Sequence, residues 1–106
     1  MATVKTSLRK DKLRATVIHR DGFVCFHCGV SPRDAAVGHV FFGVAHIVPR
    51  NHAGAWRLEN MALLCPACHA LSHTRAGRAM LLREMQERYG YVYDGEWARL
   101  LAEFYA

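Results

Sequence analysis

Four cysteines fall in two copies of one spacing, Cys25-x-x-Cys28 and Cys65-x-x-Cys68. Each pair can present two thiolates from one tight knuckle, and four soft ligands in a tetrahedron are what a structural zinc ion takes. With cysteine at all four positions no coordination site is left open, so Zn2+ held here would staple the fold and take no part in catalysis. The alternatives are four buried free thiols or a redox pair, and the doubled spacing argues against chance. His27 lies inside the first knuckle, where it could replace a cysteine but reads better as an exposed knuckle residue. Directly after the second knuckle come His69 and His73, in Cys68-His69-Ala70-Leu71-Ser72-His73. On a helix, residues four apart share one face, so two imidazoles one turn apart can chelate one divalent ion. Taken alone, such a pair is more often an ordinary surface pair.

These residues need elements to hold them. Residues 7–20 read as a helix, with Ser7 as N-cap and Leu8, Leu13, Ala15, Val17 and Ile18 sharing a broad apolar face. Asp21-Gly22 is a stop and turn, and residues 31–34 look like another turn. Residues 37–48 are rich in β-formers and predict a strand ending near His46, followed by a loop over 49–57 that contains Gly54. Residues 61–64 predict a second short strand. Pro66 fits the first turn of a helix that carries His69 and His73 and runs at least to Thr74, with Gly77 as a break or kink. A helix over 78–88 ends at Gly90. Asp94 can cap a last helix over 96–105, whose apolar stripe is Trp97, Leu100, Leu101 and Phe104.

The chain has 106 residues, 52% of them hydrophobic, which predicts one domain with a modest packed core and excludes wholesale disorder. The formal charge of +5 suits a polyanion such as nucleic acid, or simply a soluble basic surface. Residues 1–20 are polar and basic, so no secretory signal is expected, and no stretch approaches the ~20 apolar residues of a membrane span. The expected compartment is the cytoplasm, where thiols stay reduced and four cysteines read as metal ligands before disulfides.

Val44-Ala45-His46-Ile47-Val48-Pro49-Arg50, followed by Leu58-Glu59-Asn60-Met61-Ala62-Leu63-Leu64-Cys65-Pro66-Ala67-Cys68-His69, strongly resembles the HNH endonuclease family. The lead-in Arg20-Asp21-Gly22-Phe23-x-Cys25-x-x-Cys28-Gly29 matches the family's usual opening, and the resemblance covers about residues 8–75. The spacing is most similar to HNH enzymes with four zinc cysteines and a His-x-x-x-His helix, a type that includes some modified-cytosine-dependent restriction nucleases. The resemblance implies an α+β chain: a small zinc-stapled ββα-metal fold with flanking N- and C-terminal helices. Its core motif would span about residues 20–75, with a basic helix over 7–20 and C-terminal helices over 78–105.

Carried over residue by residue, the resemblance implies an endonuclease or nickase that hydrolyses DNA phosphodiester bonds. His46 would be the general base that takes a proton from water, and Asn60 would pin the loop between the strands and help orient His46. His69 and His73 would hold one catalytic ion (Mg2+, Mn2+, Ni2+ or Co2+) that offsets charge on the scissile phosphate and assists the leaving 3′-oxygen. One position departs from the pattern. The family usually has Asp or His just before the general base as a metal ligand, and here that position is Ala45. Three accounts follow: binding through two histidines, waters and substrate phosphate; replacement of the missing ligand by another residue; or a catalytically impaired zinc module that binds DNA. His39 shares a strand face with Ala45, but six residues of strand span ~20 Å, far beyond one coordination shell; His52 in the following loop is the other replacement. For double-stranded DNA the basic candidates are Arg9, Lys10, Lys12 and Arg14 in the first helix, Arg50 and Arg57 in the loop, and Arg75 and Arg78 after the histidine pair. Phosphate contacts position a duplex without reading sequence. Any specificity is therefore expected from a homodimer or a partner. Small HNH proteins resembling this one occur beside phage terminases, which makes a terminase one such partner.

Overall fold

A computed structural model of the chain describes residues 2–35, 42–48 and 56–105. Its elements are helix α1 (Ala2–Arg20), the short helix α2 (Pro32–Ala35), strand β1 (Gly43–His46), a 3-10 turn (Leu58–Asn60), strand β2 (Met61–Leu64), and helices α3 (Pro66–Leu71), α4 (Arg75–Tyr89) and α5 (Gly95–Tyr105). β1 and β2 pair antiparallel, with Gly43 opposite Leu64, Val44 opposite Leu63, Ala45 opposite Ala62 and His46 opposite Met61. Two antiparallel strands leading straight into α3, with helices flanking them, are the α+β ββα arrangement that the resemblance implies. Among the described residues, no helix is long and apolar enough to cross a membrane.

β2 is buried at all four positions, and it sits at the centre because Met-Ala-Leu-Leu has no polar side chain to expose. Around it pack Val17 of α1, Phe26, Ile47, and Leu81, Leu82 and Met85 of α4, all essentially without solvent exposure. α5 closes the core with Trp97 and Leu100, while Leu101 packs on the same cluster; the side chain of Phe104 lies outside the described residues. Trp97, Leu100 and Leu101 of the stripe read from the sequence thus face the chain's own core, as on an amphipathic helix beside a small sheet.

A buried ion pair fixes α1 to this core. The Asp21 carboxylate accepts from Arg20 Nε at 2.8 Å, Tyr89 Oη at 2.6 Å and the Leu63 N–H at 2.9 Å. Arg20 in turn donates to the carbonyls of Leu58, at 2.7 Å, and Met61. Every oxygen of the buried carboxylate therefore has donors, the condition under which a buried charge is tolerated. The sequence lead-in Arg20-Asp21 is a structural clamp between α1, β2 and α4.

Some boundaries differ from expectation. α1 begins at Ala2, ahead of Ser7, because no glycine or proline in residues 2–6 stops it. Residues 32–35 form a short helix where a turn was expected. The expected strand is observed as Gly43–His46; residues 37–41 and the loop 49–55, with His39, Arg50, His52 and Gly54, lie outside the described residues. α3 ends at Leu71, short of His73. Ser72 ends it by turning both its N–H (3.0 Å) and its Oγ (2.6 Å) onto the carbonyl of His69. Thr74 then caps α4 by accepting from the Gly77 N–H at 3.0 Å.

Gly77 therefore does not break the helix; it lets α4 begin tightly against α3. A Cβ there would lie 2.0 Å from the Leu71 carbonyl oxygen. Gly77→Ala is expected to destabilise the fold by about 2 kcal/mol, an overpacking cost against backbone that cannot move aside. Urea unfolding measures it, and an unchanged midpoint would contradict this tight approach.

Candidate functional site

The two cysteine knuckles converge. The four Sγ atoms of Cys25, Cys28, Cys65 and Cys68 all lie within 4.8 Å of one another, with Cys28 and Cys65 at 3.7 Å. A tetrahedral ion with metal–sulfur bonds of ~2.3 Å has ligand sulfurs ~3.8 Å apart, so the spacing fits such an ion. Local backbone geometry builds each knuckle. The Cys25 N–H donates to Val30 O at 2.9 Å, and Gly29, at a φ of +79°, turns its own N–H back to Cys25 O at 2.9 Å. In the second knuckle Cys65 caps α3, Pro66 occupies the first turn, and the His69 N–H donates to Cys65 O at 2.7 Å.

The electrostatics also suit a cation. Burial disfavours a Cys25 thiolate, but hydrogen bonds from the backbone of Cys28, Cys65 and His27 outweigh it and bring its pKa down to about 7. Cys68 is pushed the other way, by burial first and then by hydrogen bonds with Cys65, Cys25 and Cys28. Four thiols this close cannot all ionise unaided; a dication removes the conflict. The structure thus positions four cysteines to bind a metal. His27 is not an exposed knuckle residue as expected: it is half-buried, with Nδ1 against a carboxylate oxygen of Glu84 on α4. Arg88, one turn on, donates to Phe26 O at 2.8 Å and lies over the Phe26 ring, so α4 grips the first knuckle from outside.

At the other end of the sheet, His46 closes β1 opposite the first residue of β2. Its ring meets Trp56 edge-on, with centroids 4.3 Å apart. Asn60 is fully buried in the turn before β2. Its Oδ1 accepts from the Val48 N–H at 2.7 Å, and its Nδ2 donates to Val48 O at 3.0 Å. The Asn60 backbone carbonyl accepts from the Ile47 N–H at 2.9 Å. One asparagine therefore grips the two residues that follow His46. Trp97 Nε1 of α5 also donates to Asn60 Oδ1, at 2.8 Å.

The His69 and His73 rings lie 5.1 Å apart, although His73 stands just beyond α3. The two rings are stacked, with 30° between their planes. Burial, and then the charge of His73, lower the pKa of His69 and favour its neutral, ligating form. Among the described residues no group of three or more ligating side chains forms around this pair. Ala45 is 3% exposed and belongs to the apolar cluster.

The basic residues divide by surroundings. Arg9 and Lys12 are exposed on α1. Lys10 and Arg14 both lie over the Trp56 ring, at 4.7 and 4.8 Å, and Arg14 also pairs with Asp11 at 2.9 Å. Arg57 pairs with Glu59, Arg75 with Glu103 at 2.6 Å, and Arg78 Nε donates to Ser72 O at 2.9 Å. Arg50 lies outside the described residues. Sequence reasoning passed over Trp56 and the Trp97–Asn60 bond. A tryptophan two residues outside a motif carries no spacing signal, and only the fold shows that its ring joins α1 to His46.

The model of the HNH endonuclease family matches residues 25–75. A stretch of 70 residues is 29% identical to the type IV methyl-directed restriction enzyme EcoKMcrA of Escherichia coli (strain K12), covering 65% of this chain and 25% of that protein. The chain thus spans about a quarter of the length of that curated relative. No solved structure matches. The matched segment holds both cysteine knuckles, both strands, Asn60, His46 and the histidine pair, and over it this chain is similar to the HNH endonuclease family.

Proposed function

We propose that the chain is a metal-dependent DNA endonuclease or nickase. The observation that carries this reading is the grip of Asn60 on both backbone groups of Val48, two residues past His46. It is the restraint that a general base at the end of a short strand needs. His46 takes a proton from the attacking water. Asn60 holds the backbone behind it, and Trp56 limits the swing of its ring. His69 and His73 would hold the divalent ion, Mg2+, Mn2+, Ni2+ or Co2+, which when bound supplies positive charge for the phosphate and the leaving oxygen. Zinc is the ion for the four cysteines, because thiolates in a closed tetrahedron favour it over harder cations. Arg9, Lys10, Lys12 and Arg14 place a basic helix beside Trp56 and His46, which suits phosphate contacts with duplex DNA. The packing of α5 on the shared core supports one domain. Target choice on this reading comes from a second copy of the chain or from a phage terminase partner.

Ala45 favours a second reading: a zinc module that binds DNA without cutting it. Its methyl group is packed in the core and offers no ligand. Plasmid nicking by the zinc-loaded chain in each of the four ions decides between the two. The relative is named methyl-directed, so methylated and unmethylated plasmids belong in the same assay. Nicking in any ion supports the enzyme. Binding that weakens steeply with salt, without nicking in any ion, supports the module.

A further inference from the structure

The matched family segment ends at residue 75, yet residues beyond it also hold the turn that bears Asn60. Tyr93 Oη donates to Glu59 O at 2.6 Å, Tyr91 Oη accepts from Arg20 at 3.2 Å, and Trp97 Nε1 donates to Asn60 Oδ1 at 2.8 Å. The Arg57 guanidinium lies over the Trp97 ring, 5.4 Å from its centroid, and reaches Asp94 at 3.9 Å. Residues 91–97 thus form a strap across the 3-10 turn.

From this arrangement we infer that Trp97 is a positioning residue, acting through Asn60 on the backbone that carries His46. The inference rests on the nuclease reading for its catalytic consequence. An asparagine amide turns about a soft, nearly two-fold torsion, and its two ends are almost the same size. What fixes its orientation is the chemistry around it. Two N–H donors, from Val48 and Trp97, converge on Oδ1, and a flip would set an NH2 group against both. Trp97 therefore holds Oδ1 toward the Val48 N–H and Nδ2 toward the Val48 carbonyl. The strap makes the C-terminal helix part of the site's support, in addition to its packing on the core.

The test compares Trp97→Phe, which keeps a ring in the core and removes the N–H, with Leu100→Ala, which weakens the same helix without touching the turn. Both are studied as full-length, zinc-loaded protein. Amide exchange at Val48 is read against Leu82 in α4, which reports global opening. In Trp97→Phe the Val48-to-Leu82 exchange ratio should rise about tenfold, the order expected for one lost hydrogen bond. Single-turnover nicking should slow by a similar factor at unchanged DNA affinity. In Leu100→Ala both amides should speed up together and the nicking rate at low temperature should hold. Equal ratios in the two variants would overturn the inference. Should Trp97→Phe fail to fold, Tyr93→Phe removes one hydroxyl from the same strap and should raise the ratio about threefold; no rise there overturns the inference too. If the parent chain never nicks DNA, the nuclease reading fails, while the exchange ratio still decides the role of Trp97.

Discussion

Replacing His46 by alanine should slow plasmid nicking by about 10^2–10^4-fold, the range that a positioned general base contributes. The side chain is half-buried at the end of a strand, with its edge on Trp56, so its loss removes little packing. The melting temperature and the zinc content should stay close to those of the parent. DNA affinity should hold as well, because on the nuclease reading the base acts on water while the basic helix holds phosphate. A variant that loses rate, affinity and fold together would instead mark His46 as a structural residue. Ala45→His belongs beside it. If the parent is silent and Ala45→His cuts, the scaffold is intact and disabled at one ligand. The burial of Ala45 opposite Ala62 makes this a demanding substitution, so its fold must be checked by circular dichroism before silence is given weight. Silence from both folded proteins moves the assignment to a DNA-binding module.

Much of this site was legible in the sequence because metal and strand chemistry leave short-range marks. Two knuckles of fixed spacing announce a four-thiolate cluster, and residues 61–64 read as a strand because four apolar residues follow a turn and precede a proline. The end of α3 was not legible. Nothing in Leu71-Ser72-His73-Thr74 forbids a helix locally, and what stops it is the competition of Ser72 for the His69 carbonyl, together with the close approach of Gly77 to Leu71. The clamp at Arg20-Asp21 was visible only as a family lead-in. Its physical content, a carboxylate taking donors from α1, β2 and α4, depends on contacts between residues 42 and 68 positions apart. The same holds for the strap: Trp97 reads as one member of an apolar stripe, and its N–H finds Asn60 only once α5 has docked.

Removing the metal from the cysteine cluster should unfold the matched segment as well as empty a site. Cys25, Cys65 and Cys68 are buried members of the apolar cluster, so their metal bonds and the core form together. Structural zinc sites of this kind contribute on the order of 10–16 kcal/mol near neutral pH, as much as or more than the ~5–15 kcal/mol net stability of a whole domain. A strong chelator, or Cys65→Ser, should therefore cost most of the near-ultraviolet signal and the protection of the β2 amides. α1 and α4, longer and held in part by their own backbone bonds, should keep some helicity. Acid should act in the same direction as chelation. A thiol pKa held below its ordinary value gives stability that is complete above that ordinary value, ~8.5, and is lost as pH falls through the folded value. For Cys25 that folded value is about 7. Burial and the neighbouring thiols push the Cys68 thiol up, and metal binding must displace its proton, which adds to the penalty in acid. Zinc retention should thus weaken steeply below neutrality, with more than one proton taken up per ion released. Measuring zinc release and circular dichroism together across pH 8 to 5 checks this. Full release with an intact near-ultraviolet spectrum would show that the core stands without its ion, and the cysteines would then be a separable site on a fold that does not need them.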